Sequence, residues 1–356
     1  MTAVLTRFIS ERDAVRVESM ITAHFHKRNA TAGSFGDDYQ QLWSAIARSA
    51  TGGKLLRPAL VLGVHEQLAG EQPEAAAHVA VAFELLHTAF LLHDDVIDRD
   101  LVRRGNRNVL GERIDEGIAA GITVANAERW AQASAILGGD LLIHDAQSII
   151  ARLSVAEGMR GELLDLLDEA VFASAAGELA DVALSAGAAS PDLATVVAMT
   201  TWKTAPYSFA APLRAGAVLA GASQLTGQLL ARFGGLVGLA FQLRDDVLGM
   251  FGDEAVTGKS AVGDAREGKM TALMAYARST PRWPEIRELV GAEGASEQTT
   301  VRLRALLADC GALDYVEQLI ASTISASQAV LDEGELPASL RAELLNLSHQ
   351  ASERAA

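Results

Sequence analysis

The chain has 356 residues, is 49% hydrophobic but only 5% aromatic, and carries a formal net charge of −15. That acidity argues against nucleic acid as a main partner, and one cysteine, Cys310, excludes an intramolecular disulfide or a thiolate metal cluster. Glu11, Arg12 and Asp13 arrive too early for a secretory apolar segment, and no run reaches the roughly 18 apolar residues of a membrane span. The expectation is a cytoplasmic protein with no membrane span.

Helical periodicity predicts helices over about 3–26, 37–49, 55–70, 73–98, 126–154, 158–188, 191–221, 223–251, 269–279 and, with breaks, 296–355. Alternating β-branched runs are not evident, so the fold class is all-α. Gly, Asn and Pro punctuate the helices at 31–33, 52–53, 70–73, 187–191 and 252–268. The weakly periodic stretch from Gly105 to about Ala125 is expected to be a long connecting flap. Nothing resembles an interdomain linker, so residues 1–356 read as a single domain.

The first chemically loaded segment is Gly52-Gly53-Lys54-Leu55-Leu56-Arg57-Pro58. It puts Lys54 and Arg57 one turn apart at a helix start, where free N–H groups and two cations favour an anion. Alone it would be an ordinary basic loop. Next comes His93-Asp94-Asp95-Val96-Ile97-Asp98, followed by Arg103-Arg104-Gly105. Asp94 and Asp98 stack on one helix face directly after an apolar run, which is costly without a cation or water between them. A lone motif of this kind is usually a solvated helix end. Here the apolar helix and the two planar guanidinium groups point to Mg²⁺, phosphate and an apolar tail. His87, on the same helix, would by itself be a core histidine.

Lys203-Thr204 precedes Pro206 at an expected helix break. The stretch Gln242-Leu243-Arg244-Asp245-Asp246 then echoes the first motif at the end of a second apolar helix. Gly249 stands where a third carboxylate would face, yet Asp245 can still hold a hydrated metal. Two such helices facing each other would place carboxylates on opposite walls of a cleft. Lys259, Arg266 and Lys269 follow in a glycine-rich loop. Gly234, Gly235 and Gly238 lack a preceding strand and read as close helix packing. No Gly-x-Ser-x-Gly, His-x-x-x-His or Cys-His pairing offers another catalytic centre.

Taken in series, Gly-Lys-x-x-Arg-Pro (53–58), His-Asp-Asp-x-x-Asp (93–98), Arg-Arg-Gly (103–105), Gly-Asp (139–140), Lys-Thr (203–204) and Gln-x-x-Asp-Asp (242–246) resemble the trans-isoprenyl diphosphate synthases. Asp245 to Asp253, with Thr257-Gly258-Lys259, is similar to a subgroup of bacterial geranylgeranyl diphosphate synthases. One departure follows Gly105, where the family usually continues Lys/Arg-Pro-Thr and this chain has Asn106-Arg107-Asn108.

The resemblance implies the isoprenoid-synthase fold, antiparallel helices around a central cavity, usually in a homodimer. It implies Mg²⁺ on Asp94, Asp98 and Asp245, with Asp95 and Asp246 completing the catalytic aspartates. Arg103, Lys203 and Lys259 would neutralise the allylic diphosphate, with Thr204 and Gln242 turning oxygen dipoles toward the allylic cation. Lys54, Arg57, His87 and Arg104 would hold isopentenyl diphosphate. Ala89 and Phe90 would begin the floor that limits chain length, with Leu86 and Phe83 deeper, which favours a C20 product over C15. The rival readings are a class I terpene cyclase and a non-catalytic subunit of a heteromeric synthase.

Overall fold

The computed structural model describes residues 8–189, 192–252, 269–290 and 297–353. The chain forms two compact units. One is built from Thr2–Leu167 with Ala215–Ala222, the other from Asp168–Arg214 with Ser223–Ala356. Almost every described element is helical, in agreement with the all-α expectation.

The first unit begins with α1 (Glu11–Ala32), a 3₁₀ turn (Gly33–Phe35), α2 (Asp37–Ser49) and α3 (Leu56–Gln67). Its core is α4 (Pro73–Ile97), whose Pro73 stands in the first turn, where a missing N–H costs nothing. Among the described helices α4 alone is long and apolar enough to cross a membrane, but 78% of its most apolar window is buried inside the protein. It packs against α6 (Val124–Ala151), and glycines allow the close approach. A Cβ on Gly139 would lie 2.2 Å from the His93 ring, and one on Gly138 would lie 3.4 Å from Leu92 and 2.9 Å from Ile46 of α2.

The stretch expected as a flap is ordered structure. Strands β1 (Val102–Arg103) and β2 (Asn106–Arg107) pair antiparallel around Arg104 and Gly105, both at positive φ, the geometry of a two-residue hairpin turn. Helix α5 (Val109–Ala119) follows. Asn108 caps it by accepting from Gly111 N at 2.8 Å, while Arg107 pairs with Asp115. Leu110 and Ile114 of α5 bury against Ala131 of α6. Two glycines, Gly111 and Gly117, and several polar residues dilute this apolar stripe in the sequence.

In the second unit, α7 (Glu157–Ser185) enters from the first, and α8 (Leu193–Ala205) follows. The predicted 191–221 helix is interrupted by a π turn over Pro206–Ala210 before α9 (Ala211–Leu219). Then come α10 (Gln224–Phe251), α11 (Ala272–Arg278), α12 (Trp283–Arg287), α13 (Glu297–Asp309), α14 (Ala312–Val330) and α15 (Ala338–Glu353). Arg244 of α10 holds Glu317 of α14 through two 2.6 Å bonds. Arg304 donates to the carbonyls of Met250 and Gly252, satisfying the open C-terminal end of α10.

Candidate functional site

In the first unit the site is built at the C-terminal end of α4. Asp98 closes the helix, its N–H donating to Asp94 O at 2.8 Å, which places the two carboxylates one turn apart as the spacing predicted. Both side chains are part-exposed, whereas Asp95 turns inward and is 1% exposed. Arg103 reaches across from β1. Its Nε and one terminal nitrogen lie 2.9 and 2.6 Å from Asp95 Oδ1, and that terminal nitrogen stands 3.3 Å from Asp94 Oδ2. Burial pushes the Asp95 carboxyl up to about 6, against the pull of Arg103.

Among the described residues no three His, Cys, Asp or Glu side chains form a ready metal cage. The donor set nevertheless fits Mg²⁺, which takes one or two carboxylates and fills its shell with water and phosphate oxygens. Asp94 and Asp98 provide that pair of hard oxygen donors.

The adjacent residue, Arg104, goes elsewhere. Its left-handed backbone at the hairpin turn sends the guanidinium toward the loop before α3, where it stands 3.4 Å from Thr51 O. Strain of this kind recurs at binding sites. Leu55 in the same loop is also left-handed, so Lys54 is exposed while Arg57 enters α3 at only 8% exposure. His87 of α4 shares this environment. Burial, then the positive charges of Arg57, Arg104 and Arg103, hold it well below the usual imidazole range, so the ring is neutral. The structure therefore places Arg57, His87 and Arg104 in one electrostatic group, and adds a residue that the sequence reading missed, Glu84. This carboxylate is buried on α4 beside Arg57 and Arg104. Its signal was a single acid inside an apolar helix, one turn before His87.

In the second unit, Thr204 donates to Gln242 Oε1 at 2.9 Å, and Gln242 Nε2 donates to Asp246 Oδ1 at 3.0 Å. Thus Thr204, Gln242 and Asp246 form one chain of hydrogen bonds between α8 and α10. Asp245 lies one residue away on α10, part-exposed. Lys203 is clamped between Asp181 at 2.7 Å and Glu178 at 2.9 Å, both on α7. Sequence reasoning missed these two acids, although Gly177-Glu178-Leu179-Ala180-Asp181 carries the cue of a glycine beside two acids at helical spacing. A Cβ on Gly177 would stand 2.3 Å from Lys203 N, so only glycine lets α7 press onto α8 there. Gly234 and Gly238 of α10 approach the π turn and Ala205 in the same way, which accounts for these two glycines as packing, whereas a Cβ on Gly235 would meet nothing. Local π geometry often marks functional sites. Lys259 and Arg266 lie outside the described residues.

The chain-length candidates fall on α4. Ala89, Leu86 and Phe83 are fully buried and Phe90 is part-exposed.

Comparison with known proteins gives a consistent result. A family model described as polyprenyl synthetase matches residues 40–307. The chain is 36% identical over 301 residues to a geranylfarnesyl diphosphate synthase of Aeropyrum pernix, covering 83% of this chain and 88% of that protein. It is 31% identical over 281 residues to a geranylgeranyl diphosphate synthase of Methanosarcina mazei, covering 79% and 80%. Among solved structures, a geranylgeranyl pyrophosphate synthase from Corynebacterium glutamicum, complexed with isoprenyl diphosphate and magnesium, superposes with a TM-score of 0.89 at 28% identity over 97% of this chain and 99% of that one. The helical architecture is the isoprenoid-synthase fold.

Proposed function

This chain belongs to the polyprenyl synthetase family and is a trans-prenyl diphosphate synthase, and from that premise we propose that it condenses isopentenyl diphosphate head to tail (1′-4) with an allylic prenyl diphosphate to give geranylgeranyl diphosphate. The observation that carries the two-substrate reading is the divergence of Arg103 and Arg104. Neighbouring guanidinium groups leave one hairpin for two different places, one against Asp94 and Asp95, the other against the Gly52-Gly53-Lys54 loop. Two separate anion sites suit two diphosphates, whereas a terpene cyclase needs one.

In the proposed reaction Arg103 and Lys203 bind the allylic diphosphate, with Lys259 as a further candidate. Their positive charge favours departure of that group as an anion. Asp94 and Asp98 in the first unit and Asp245 in the second are the proposed Mg²⁺ ligands. Bound Mg²⁺ would supply Lewis-acid stabilisation of the leaving diphosphate. Asp95 orients Arg103, and Asp246 orients Gln242. Thr204 and Gln242 offer oxygen dipoles to the developing allylic cation. Lys54, Arg57, His87 and Arg104 hold isopentenyl diphosphate with its double bond free to attack, and the departing diphosphate is the proposed base for the final proton.

The C20 assignment rests on Ala89, Phe90 and Leu86. A prenyl unit spans about one helical turn, ~5 Å, so a small residue at 89 with larger ones around and below it favours a tunnel of intermediate depth. Farnesyl diphosphate is the next reading. An exposed apolar stripe on α7, formed by Phe172, Leu179 and Val182, supports a homodimer. The family match, which runs through both units, supports treating them as one catalytic domain.

Incubation with Mg²⁺, labelled isopentenyl diphosphate and each allylic primer in turn tests the proposal. A C20 product lost in Asp94→Ala is the expected result. Cyclic hydrocarbon formed without isopentenyl diphosphate would establish the cyclase instead, and turnover only with an added partner would establish the subunit reading.

A further inference from the structure

We propose that Glu84 is a positioning residue for isopentenyl diphosphate, its buried carboxylate holding the Arg57 and Arg104 guanidinium groups where they can grip the substrate. The inference rests on the assignment of Arg57 and Arg104 to that substrate. Glu84 is 5% exposed, within a largely apolar stretch of α4. Isolated burial of a carboxylate is costly, so nearby opposite charge must offset it. Burial pushes the Glu84 carboxyl above the usual glutamate range, and the positive charges of Arg57 on α3 and Arg104 on the hairpin pull it back in part.

Gly53 shows how closely the parts meet. The position of a Cβ on Gly53 lies 3.2 Å from Glu84 Oε1 and 3.6 Å from an Arg104 terminal nitrogen. The carboxylate and the guanidinium therefore converge on one glycine in the loop that carries Lys54. Without an anion beneath them, Arg57 and Arg104 would repel each other and the loop would lose its support. Glu84 need not touch substrate to act. In direct contact with a diphosphate it would be repulsive, and this makes the sign of its effect diagnostic.

Glu84→Gln keeps the shape and removes the charge. The expected result is a rise of roughly 10-fold in KM for isopentenyl diphosphate, within the coupling range of residues that share one charge network. KM for the allylic primer and kcat should change far less. Gly53→Ala, a milder change that pushes on the same carboxylate, should move KM in the same selective way. In an Arg104→Gln background, Glu84→Gln should have a smaller effect than in the parent, because the two act together. Calorimetric titration with inorganic pyrophosphate should show the same weakening without turnover. An unchanged or lower KM for isopentenyl diphosphate, or equal rises for both substrates, would overturn the inference. If the parent protein elongates no primer yet Glu84→Gln still weakens pyrophosphate binding, the synthase reading fails and the positioning role stands.

Discussion

Arg103 meets Asp95 through two nitrogens on a single oxygen, at 2.9 and 2.6 Å, and only one of those nitrogens also reaches Asp94, at 3.3 Å. The buried member of the aspartate pair is thus the anchor of the arginine, and the part-exposed member faces outward. Asp95→Asn should therefore lower stability by about 1.5–3 kcal/mol, as expected for hydrogen bonds to a charged group. Turnover should fall roughly 10- to 100-fold, the usual effect of losing a partner that orients a ligand-binding group. Urea denaturation and steady-state kinetics would check both. Undiminished turnover would show that Asp94 alone suffices to place Arg103.

Lys203 depends on backbone contact as much as on its two acids. Gly177→Ala places a Cβ against Lys203 N, where no flexible side chain can yield. The expected cost is about 1–3 kcal/mol, typical of overpacking, with a rise in KM for the allylic primer. Gly216→Ala provides the control, since its Cβ would press on Val61 O of α3 in the first unit, away from Lys203 and the two acids that hold it. It should destabilise similarly while leaving KM for the primer unchanged in the folded protein. Equal kinetic effects from both would mean that Lys203 responds only to global stability.

His24 gives the first unit a defined acid sensitivity. Its Nε2 lies 2.9 Å from Asp145 Oδ2, beside Arg28, which bonds the same oxygen at 2.8 Å. Burial first, then Arg28 and Lys27, lower its pKa to about 4. Between the unfolded value near 6.5 and 4, the unfolded chain binds the extra proton and the native protein does not. Stability should therefore fall as pH drops through that window. His24→Gln should flatten this part of the curve, read as Tm against pH. Because Asp95 and His87 also titrate in this window, a His24→Gln curve parallel to that of the parent from pH 6.5 to 4 would contradict the assignment.

The residues most legible in the sequence were those whose chemistry is conspicuous at short range. Asp94 and Asp98, Arg103 and Arg104, Asp245 and Asp246, and Lys203-Thr204 announced themselves through charge density or a helix break. Structure at 102–119 was not legible, because Arg104 at positive φ is unusual for a non-glycine residue and α5 dilutes its apolar stripe with glycine. The supporting acids Glu84, Glu178 and Asp181 were missed for a different reason. Each acts through a cation distant in sequence, so its meaning appears only when helices pack. Arg244 and Arg304 are similar, since what they hold, Glu317 and the α10 carbonyls, is fixed by tertiary contact.

Ala89 offers the sharpest test of product length. It has no exposed surface and sits one turn before His93 on α4, with Leu86 buried beneath it and Phe90 part-exposed beside it. A phenylalanine there has no slack in the core to occupy, because interiors are packed near crystal density. Its ring must either force the helix outward, at about 1–3 kcal/mol, or fill space that the growing chain would use. Ala89→Phe should therefore shorten the main product by at least one prenyl unit, and Leu86→Ala should lengthen it. Chromatography of the dephosphorylated products reads both directly. A shorter product from the first variant with none longer from the second would place the floor above Leu86. An unchanged length in Ala89→Phe, with stability reduced, would put the ring in the core and remove position 89 from the tunnel.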